Sequence, residues 1–408
     1  MSTSFVIACV GKPSAGKSSF LNAVTDATAK VGNFPFTTIE PNQGIAYYPV
    51  DCPCKKYNKA DRCKPRHGWC KDGKRFDVAG LVPGASEGKG LGNQFLDDLR
   101  HADVLIHVVD ASGTTDSNGK ETKGYDPIDD IQWLRSEVHS WIYNNLHKKW
   151  AGTATAVETL HAQLAGYGTS KDIVQRTMDK LKIKEGLGQW DDEQLEKFVS
   201  GFLDERFPTI VALNKIDMPD ADKGIASILR RYGNSGARGQ PVKDGVRGDN
   251  IVLTSALGEC FLRKMAQQKY IRYETGDDDF ITKEDDADDE YKLKPTDEKA
   301  KRRLENIRDL VLFRYGSSGV QDVIIRAVEV LGIVPVFPAD GSSAAFQDCV
   351  LVRPGMTVRE FAGKLHNQLT QNYLGAETVG NIQLGEDDVI VAGKNNIIKY
   401  DTSGLPTD

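Results

Sequence analysis

Gly11-Lys12-Pro13-Ser14-Ala15-Gly16-Lys17-Ser18 has the residue types and spacing to hold a phosphate chain. Glycines at 11 and 16 let consecutive backbone N–H groups turn inward around phosphate oxygens, and a helix starting at the loop's end adds its positive dipole end. Lys17 is placed to reach the β- and γ-phosphates and Ser18 to ligate Mg²⁺, with Ser14, Ala15 and Ser19 completing the cradle. Further on, Asp77-Val78-Ala79-Gly80 is a DxxG: Asp77 suits Mg²⁺ through water, and the Gly80 N–H suits the γ-phosphate. Asn214-Lys215-Ile216-Asp217 supplies a carboxylate that can accept from guanine N1–H and the 2-amino group. Adenine offers no such donor pair, and a buried charge left unpaired gives strong discrimination. Thr254-Ser255-Ala256 follows, with Ser255 and Ala256 suited to the guanine carbonyl. Order and spacing together predict a GTP/GDP site.

A second group of residues has metal-ligand chemistry. Cys52, Cys54, Cys63 and Cys70 fall within 19 residues, and four thiolates would make a tetrahedral zinc site. Their spacing lacks paired CxxC knuckles, so a solvated loop of reduced thiols is the competing reading. The same stretch, Lys55–Arg75, carries nine Lys or Arg with Tyr57 and Trp69 interleaved, which fits either RNA phosphates or a solvated loop.

These residues need elements to position them. Phe5–Val10 is a short continuous apolar run, the pattern of a strand buried on both faces, and Ser18–Ala29 has helical spacing. Gly44–Val50, Val104–Val109, Thr209–Leu213 and Ile251–Leu253 read as further strands, with Asn93–Arg100 a helix. Alternating β and α elements predict a doubly wound α/β sheet of the P-loop NTPase type. Ile131, Leu134, Val138, Trp141, Ile142 and Leu146 recur at helical intervals, opening a helical insertion over 128–205. The predicted organisation is a nucleotide-binding domain in two parts, 1–127 with the Cys-rich loop 51–75 and 206–335, split by that insertion. Residues 220–250 are rich in Gly, Asp and Arg and read as a mobile loop with some helix. Residues 277–290, with nine acidic side chains and one lysine, read as an acidic linker, and 340–408 as a small separate domain.

The 408 residues carry a formal charge of -6, to which that tract alone contributes -8. Neither a uniformly acidic shell nor a strongly basic nucleic-acid binder is indicated. No apolar run approaches the 18 residues of a membrane span, and the seven cysteines are an odd number in a large chain, against a disulfide framework. The expected setting is cytoplasmic, with no membrane partner.

Gly11–Ser18, Asn33-Phe34-Pro35-Phe36-Thr37-Thr38, Asp77–Gly80 and Gly84-Ala85-Ser86-Glu87-Gly88-Lys89-Gly90-Leu91-Gly92 resemble the Obg family of translation-factor-type GTPases. The resemblance is strongest to the archaeal and fungal subfamily related to the YchF/Obg-like ATPases, and it covers most of residues 5–340. Those ATPases lose the NKxD signature, which this chain keeps at Asn214–Asp217. Val352-Arg353-Pro354-Gly355-Met356-Thr357-Val358 resembles a TGS domain, a small ubiquitin-like β-grasp module. The resemblance implies that Thr38 is the switch threonine closing on Mg²⁺ and γ-phosphate, with Lys17, Thr38 and Gly80 serving hydrolysis. It also implies association with ribosomes or RNA through the TGS-like tail.

The chain departs from the family pattern in three places. Leu81 follows DxxG where Ras-like proteins carry a water-orienting Gln, so hydrolysis is expected to be slow. Ser14 stands where some relatives use an Asn to help bind an activating K⁺. Only Lys74-Arg75-Phe76 precedes Asp77, with no run of four apolar residues after Val50, so either a short, poor strand forms or one is missing. The expected activity is GTP hydrolysis as a molecular switch. The alternatives are an ATPase or a nucleotide-binding scaffold with little turnover.

Overall fold

The computed structural model describes residues 5–25, 43–58, 69–71, 74–83, 99–148, 156–183, 190–233, 244–339, 346, 348–366, 369 and 373–401. In chain order the strands are β1 (Ile7–Val10), β2 (Gln43–Asp51), β3 (Trp69–Lys71), β4 (Lys74–Pro83), β5 (Val104–Asp110), β6 (Thr209–Asn214), β7 (Ile251–Thr254), β8 (Ile271–Arg272), β9 (Ile281–Thr282), β10 (Val334–Pro338), β11 (Val350–Val352), β12 (Ala376–Thr378), β13 (Ile382–Leu384) and β14 (Ile397–Tyr400). They fall into two units. One is drawn from Val6–Gly44 and Val82–Ala327, the other from Met1–Phe5, Ile45–Leu81 and Val328–Asp408.

The first unit is an α/β layer structure around a parallel sheet in the order β1-β5-β6-β7. Every residue of β1 and β5 is buried, as their largely apolar sequences require of strands covered on both faces; His107 and Asp110 are the polar exceptions in β5. The register pairs Asp110 with Asn214 and Asn214 with Thr254, which aligns the carboxyl ends of β5, β6 and β7 along one rim, while β1 ends at Val10 opposite His107. Helix α1 (Lys17–Val24) starts at the end of the phosphate loop. Arg263 donates from Nη1 to the carbonyls of Asn22, Ala23 and Thr25 at 2.7–2.8 Å, covering the end of α1 with a cation that suits its negative pole.

The insertion is helical, as its periodicity predicts. Helices α2 (Pro127–Lys148), α3 (Ala156–Leu164), α4 (Lys171–Leu181) and α5 (Asp192–Arg206) build a core from Leu134, Val138, Ile142, Leu160, Val174, Phe198 and Phe202. Trp133 and Trp141 pack at its margin, Trp141 edge-on to Tyr167 at 4.5 Å. Asp191 and Gln194 form a reciprocal cap that starts α5. Helix α6 (Ala221–Tyr232) fills the first part of the glycine-rich stretch read as a loop with some helix, while 234–243 lie outside the described residues.

The acidic tract is tied down rather than a bare linker. Phe280 is buried, Arg308 pairs with Asp279 at 2.7 Å, and Asp285 and Asp286 accept backbone N–H groups of Thr282, Glu290 and Tyr291. Local side-chain capping and one aromatic anchor give this charged segment a fixed path.

A strand does run through DxxG, one of the two alternatives the sequence leaves open, and it belongs to a sheet other than the parallel one. β4 runs from Lys74 through Asp77 and Gly80 to Pro83 and lies in a three-stranded sheet, β2-β4-β3. It pairs antiparallel with β3, Trp69 facing Phe76 and Cys70 facing Arg75. β1 therefore stands at one edge of the parallel sheet. Lys74-Arg75-Phe76 offers no apolar run to bury on both faces, whereas an antiparallel ribbon tolerates one wet face. The segments Asn33–Thr38 and Gly84–Gly92 lie outside the described residues.

The second unit holds a mixed sheet, β11-β10-β14-β12-β13, covered by one helix. Two further helices, Ala256–Gln267 and Glu298–Ile307, belong to the first unit. The covering helix, Val358–Leu365, starts at a Thr357–Glu360 capping box and buries Val358, Phe361 and Ala362 against Val336, Val352 and Ile398. One helix on a small mixed sheet is consistent with the TGS-like reading. Its last strand is β14, and Val389 makes an isolated bridge to Thr357.

Candidate nucleotide-binding site

The phosphate loop leaves β1 at Gly11, whose φ is +145°; a Cβ there would sit 2.3 Å from Val108 O. Gly16, at φ +102°, has no room for a Cβ beside Asn214 Nδ2. Ser14 adopts φ +62°, so the loop turns in left-handed steps that aim N–H groups to one side. Lys17 is buried and its Nζ donates to Lys12 O at 2.8 Å, spanning the loop from within. Ser18 and Ser19 follow in the first turn of α1.

Sequence reasoning passed over Lys12. It is buried, with Nζ 2.9 Å from Asp130 Oδ2, 2.7 Å from Thr115 O and 3.9 Å above the Tyr125 ring. Tyr125 donates to Asp130 Oδ1 at 2.8 Å. A loop position written as x in the motif thus anchors the cradle to the first turn of α2. Only its long-range partners reveal this.

His107 lies buried on β5 opposite Val10. Burial, and then the ammonium groups of Lys17 and Lys12, push its imidazole down to about 3, so it is neutral. Asp110, at the end of the same strand, is fully buried. Burial opposes its charge, but Lys215 Nζ at 2.7 Å and the hydroxyls of Ser112 and Thr115 hold its carboxyl below the usual range. Lys215 is therefore fixed by a carboxylate that no motif mentions.

The NKID segment sits where β6 ends. Asn214 uses both ends of its amide inside the protein: Nδ2 donates to Ala15 O at 2.9 Å, and Oδ1 accepts from Ala256 N at 3.0 Å. It clips the phosphate loop to Thr254-Ser255-Ala256, the base loop. Ser255, fully buried, donates from Oγ to Asp217 Oδ1 at 2.8 Å and so aims that carboxylate. The structure thus brings Gly11–Ser19, Asn214, Lys215, Asp217, Ser255 and Ala256 to the rim of one sheet.

Asp77 and Gly80 belong to β4 in the separate sheet, and the Asp77 side chain and all of Thr38 lie outside the described residues. Of the Mg²⁺ donors, the Ser18 side chain lies at the start of α1. Cys52 and Cys54 are buried around the single turn Pro53–Lys56, Cys70 is on β3, and Cys63 lies outside the described residues. Among the described residues no three His, Cys, Asp or Glu side chains are grouped to hold a metal ion. Nor is any helix among them long and apolar enough to cross a membrane.

Residues 6–143 match the model of the 50S ribosome-binding GTPase family, and 212–341 match the Obg-like GTPase YGR210-like, G4 motif-containing domain. An uncharacterized GTP-binding protein of Schizosaccharomyces pombe is 46% identical, with 98% of each chain covered. The chain belongs to the Obg-like GTPase family. A second uncharacterized GTP-binding protein, from Methanocaldococcus jannaschii, is 37% identical over 97% of this Obg-like GTPase. The ribosome-binding ATPase YchF of Bacillus subtilis is 41% identical over 32% of it. Among solved structures, a GTP binding protein from Pyrococcus horikoshii superposes with a TM-score of 0.72 at 29% identity, covering 97% of this chain and 99% of that one. The two full-length alignments run over 426 and 419 positions, more than the 408 residues present here, so both relatives carry internal residues that this GTPase lacks.

Proposed function

We propose that this Obg-like GTPase binds guanine nucleotides selectively and hydrolyses GTP to GDP and phosphate as a slow molecular switch. The observation that carries the reading is Asp217, aimed by Ser255 at the end of β6, beside an Asn214 that joins the base loop to the phosphate loop. Guanine N1–H and the 2-amino group would donate to that carboxylate. Lys17 and the loop N–H groups would hold the β- and γ-phosphates, Lys17 exchanging its bond to Lys12 O for phosphate oxygen. Ser18, with the sequence positions Thr38 and Asp77, would hold Mg²⁺, which supplies charge neutralisation on the phosphates. Gly80 N–H would meet the γ-phosphate. Leu81 cannot orient the attacking water, which is why the turnover is slow. K⁺ activation through Ser14 has one hydroxyl to rely on and is expected to be weak.

A cytoplasmic setting and a ribosomal partner are part of the same reading. They are supported by the relatives named as ribosome-binding and by the TGS-like sheet.

A second reading is a nucleotide-binding scaffold with little turnover. β4 favours it, because DxxG is threaded through a strand of another sheet. Phosphate release from GTP and from ATP, with Mg²⁺ in Na⁺ and in K⁺ buffer, separates the readings. GTP turnover exceeding that with ATP supports the switch. GDP binding without phosphate release supports the scaffold, and faster ATP turnover supports an ATPase.

A further inference from the structure

The base loop is supported from outside every motif that predicts the site. Ser255 N donates to Ser318 O at 2.9 Å. Ser318 Oγ donates to Glu259 Oε2 at 2.6 Å, and Tyr273 OH donates to the same oxygen at 2.6 Å. Glu259 and Ser255 are fully buried and Ser318 is 1% exposed, so these are hydrogen bonds in a water-poor interior. Glu259 N in turn donates to Ser255 O, closing a ring through Ser255, Ser318 and Glu259.

The backbone at both corners of this ring has no slack. A Cβ at Gly319, φ +74°, would meet Leu253 O at 1.8 Å, so the Ser317–Gly319 turn lies directly on the end of β7. A Cβ at Gly258 would meet Ser255 Oγ at 2.6 Å, the same hydroxyl that aims Asp217. A buried acid costs free energy unless its hydrogen bonds are made. This one spends its paired oxygen on the turn that holds Ser255.

We propose that Glu259, Ser318 and Tyr273 are positioning residues for guanine selectivity, acting through Ser255 on the Asp217 carboxylate. They touch no nucleotide themselves. The inference rests on the guanine reading of Asp217, and it makes selectivity depend on a turn 59 residues beyond Glu259 in the chain.

The test is calorimetric titration of the full chain with GDP and with ADP, for the parent, Ser318→Ala, Tyr273→Phe and Glu259→Gln. The hydroxyl deletions remove one hydrogen bond each and leave the Ser318 carbonyl in place. Loss of one buried hydrogen bond predicts roughly a 3- to 10-fold weaker GDP affinity, with ADP affinity within about twofold of the parent. The GDP-to-ADP ratio is the decisive readout, because general loosening of the fold weakens both nucleotides together. Selectivity kept at the parent value in folded Ser318→Ala and Tyr273→Phe overturns the inference, as does a parallel loss for both nucleotides. A parent protein that does not prefer GDP overturns the guanine reading itself, and the inference with it. Glu259→Gln is expected to match Ser318→Ala if it folds; the two hydroxyl variants decide the matter if it does not.

Discussion

The base-reading rim and the segment carrying DxxG are made of similarly short motifs but are built differently. Asn214, Asp217 and Ser255 stand at the ends of β6 and β7, where parallel pairing fixes the backbone and each side chain has a buried partner. Asp77 and Gly80 lie along β4, whose neighbours are the short antiparallel β3 and, on the other side, β2. A motif keeps its meaning only where the sheet beneath it puts the residues at a strand's carboxyl end. The rim has that support, and the DxxG segment of this chain has a different one.

The comparison breaks or sharpens under substitution, and the largest effect is expected at the anchor of the phosphate loop. Asp130→Ala leaves the buried Lys12 ammonium without its carboxylate and should cost about 3–5 kcal/mol in urea unfolding. A loss below about 1 kcal/mol would mean that the rim does not depend on this anchor. Asp217→Ala should weaken GDP by roughly 10- to 100-fold with ADP unchanged, since hydrogen bonds to a charged group are each worth about 1.5–3 kcal/mol. Equal effects on both nucleotides would remove the base-reading role.

His107 gives a pH signature of the same rim. Its folded value, about 3, lies below its ordinary 6.5, so the unfolded chain binds the extra proton first. Its contribution is complete above 6.5 and is lost as pH falls toward 3, at up to about 1.4 kcal/mol per pH unit. Unfolding free energy should therefore drop by roughly 1–2 kcal/mol between pH 6.5 and 5, and His107→Gln should flatten that slope. An unchanged slope in the variant would contradict a buried neutral imidazole beside Lys17 and Lys12. The smallest effect is expected in the other half: Asp77→Ala should alter Mg²⁺-free GDP affinity by less than about threefold, the range of one weak contact. A tenfold loss would put Asp77 in the nucleotide site without metal.

Local motifs made the rim legible: Gly11–Ser18 after an apolar strand, and NKID and Thr254-Ser255-Ala256 after two more. The insertion was legible because Leu134, Val138, Ile142 and Leu146 repeat with a helical period. Lys12 with Asp130, Asp110 with Lys215, and Glu259 with Ser318 were not, because each joins residues more than 50 apart and no spacing rule connects them. The placement of β4 was not legible either. Lys74-Arg75-Phe76 announces a poor strand, but which sheet accepts it depends on non-local pairing. The ordering of the acidic tract hinges on Phe280 and Arg308, one residue inside the charge run and one outside it.

The most direct test of the central claim is calorimetric titration of the unmodified protein with GDP and with ADP, with and without Mg²⁺. GDP should bind at least about tenfold tighter than ADP, a difference of about 1.4 kcal/mol, and Mg²⁺ should tighten it further. Equal affinities, or a preference for ADP, would contradict guanine recognition by Asp217.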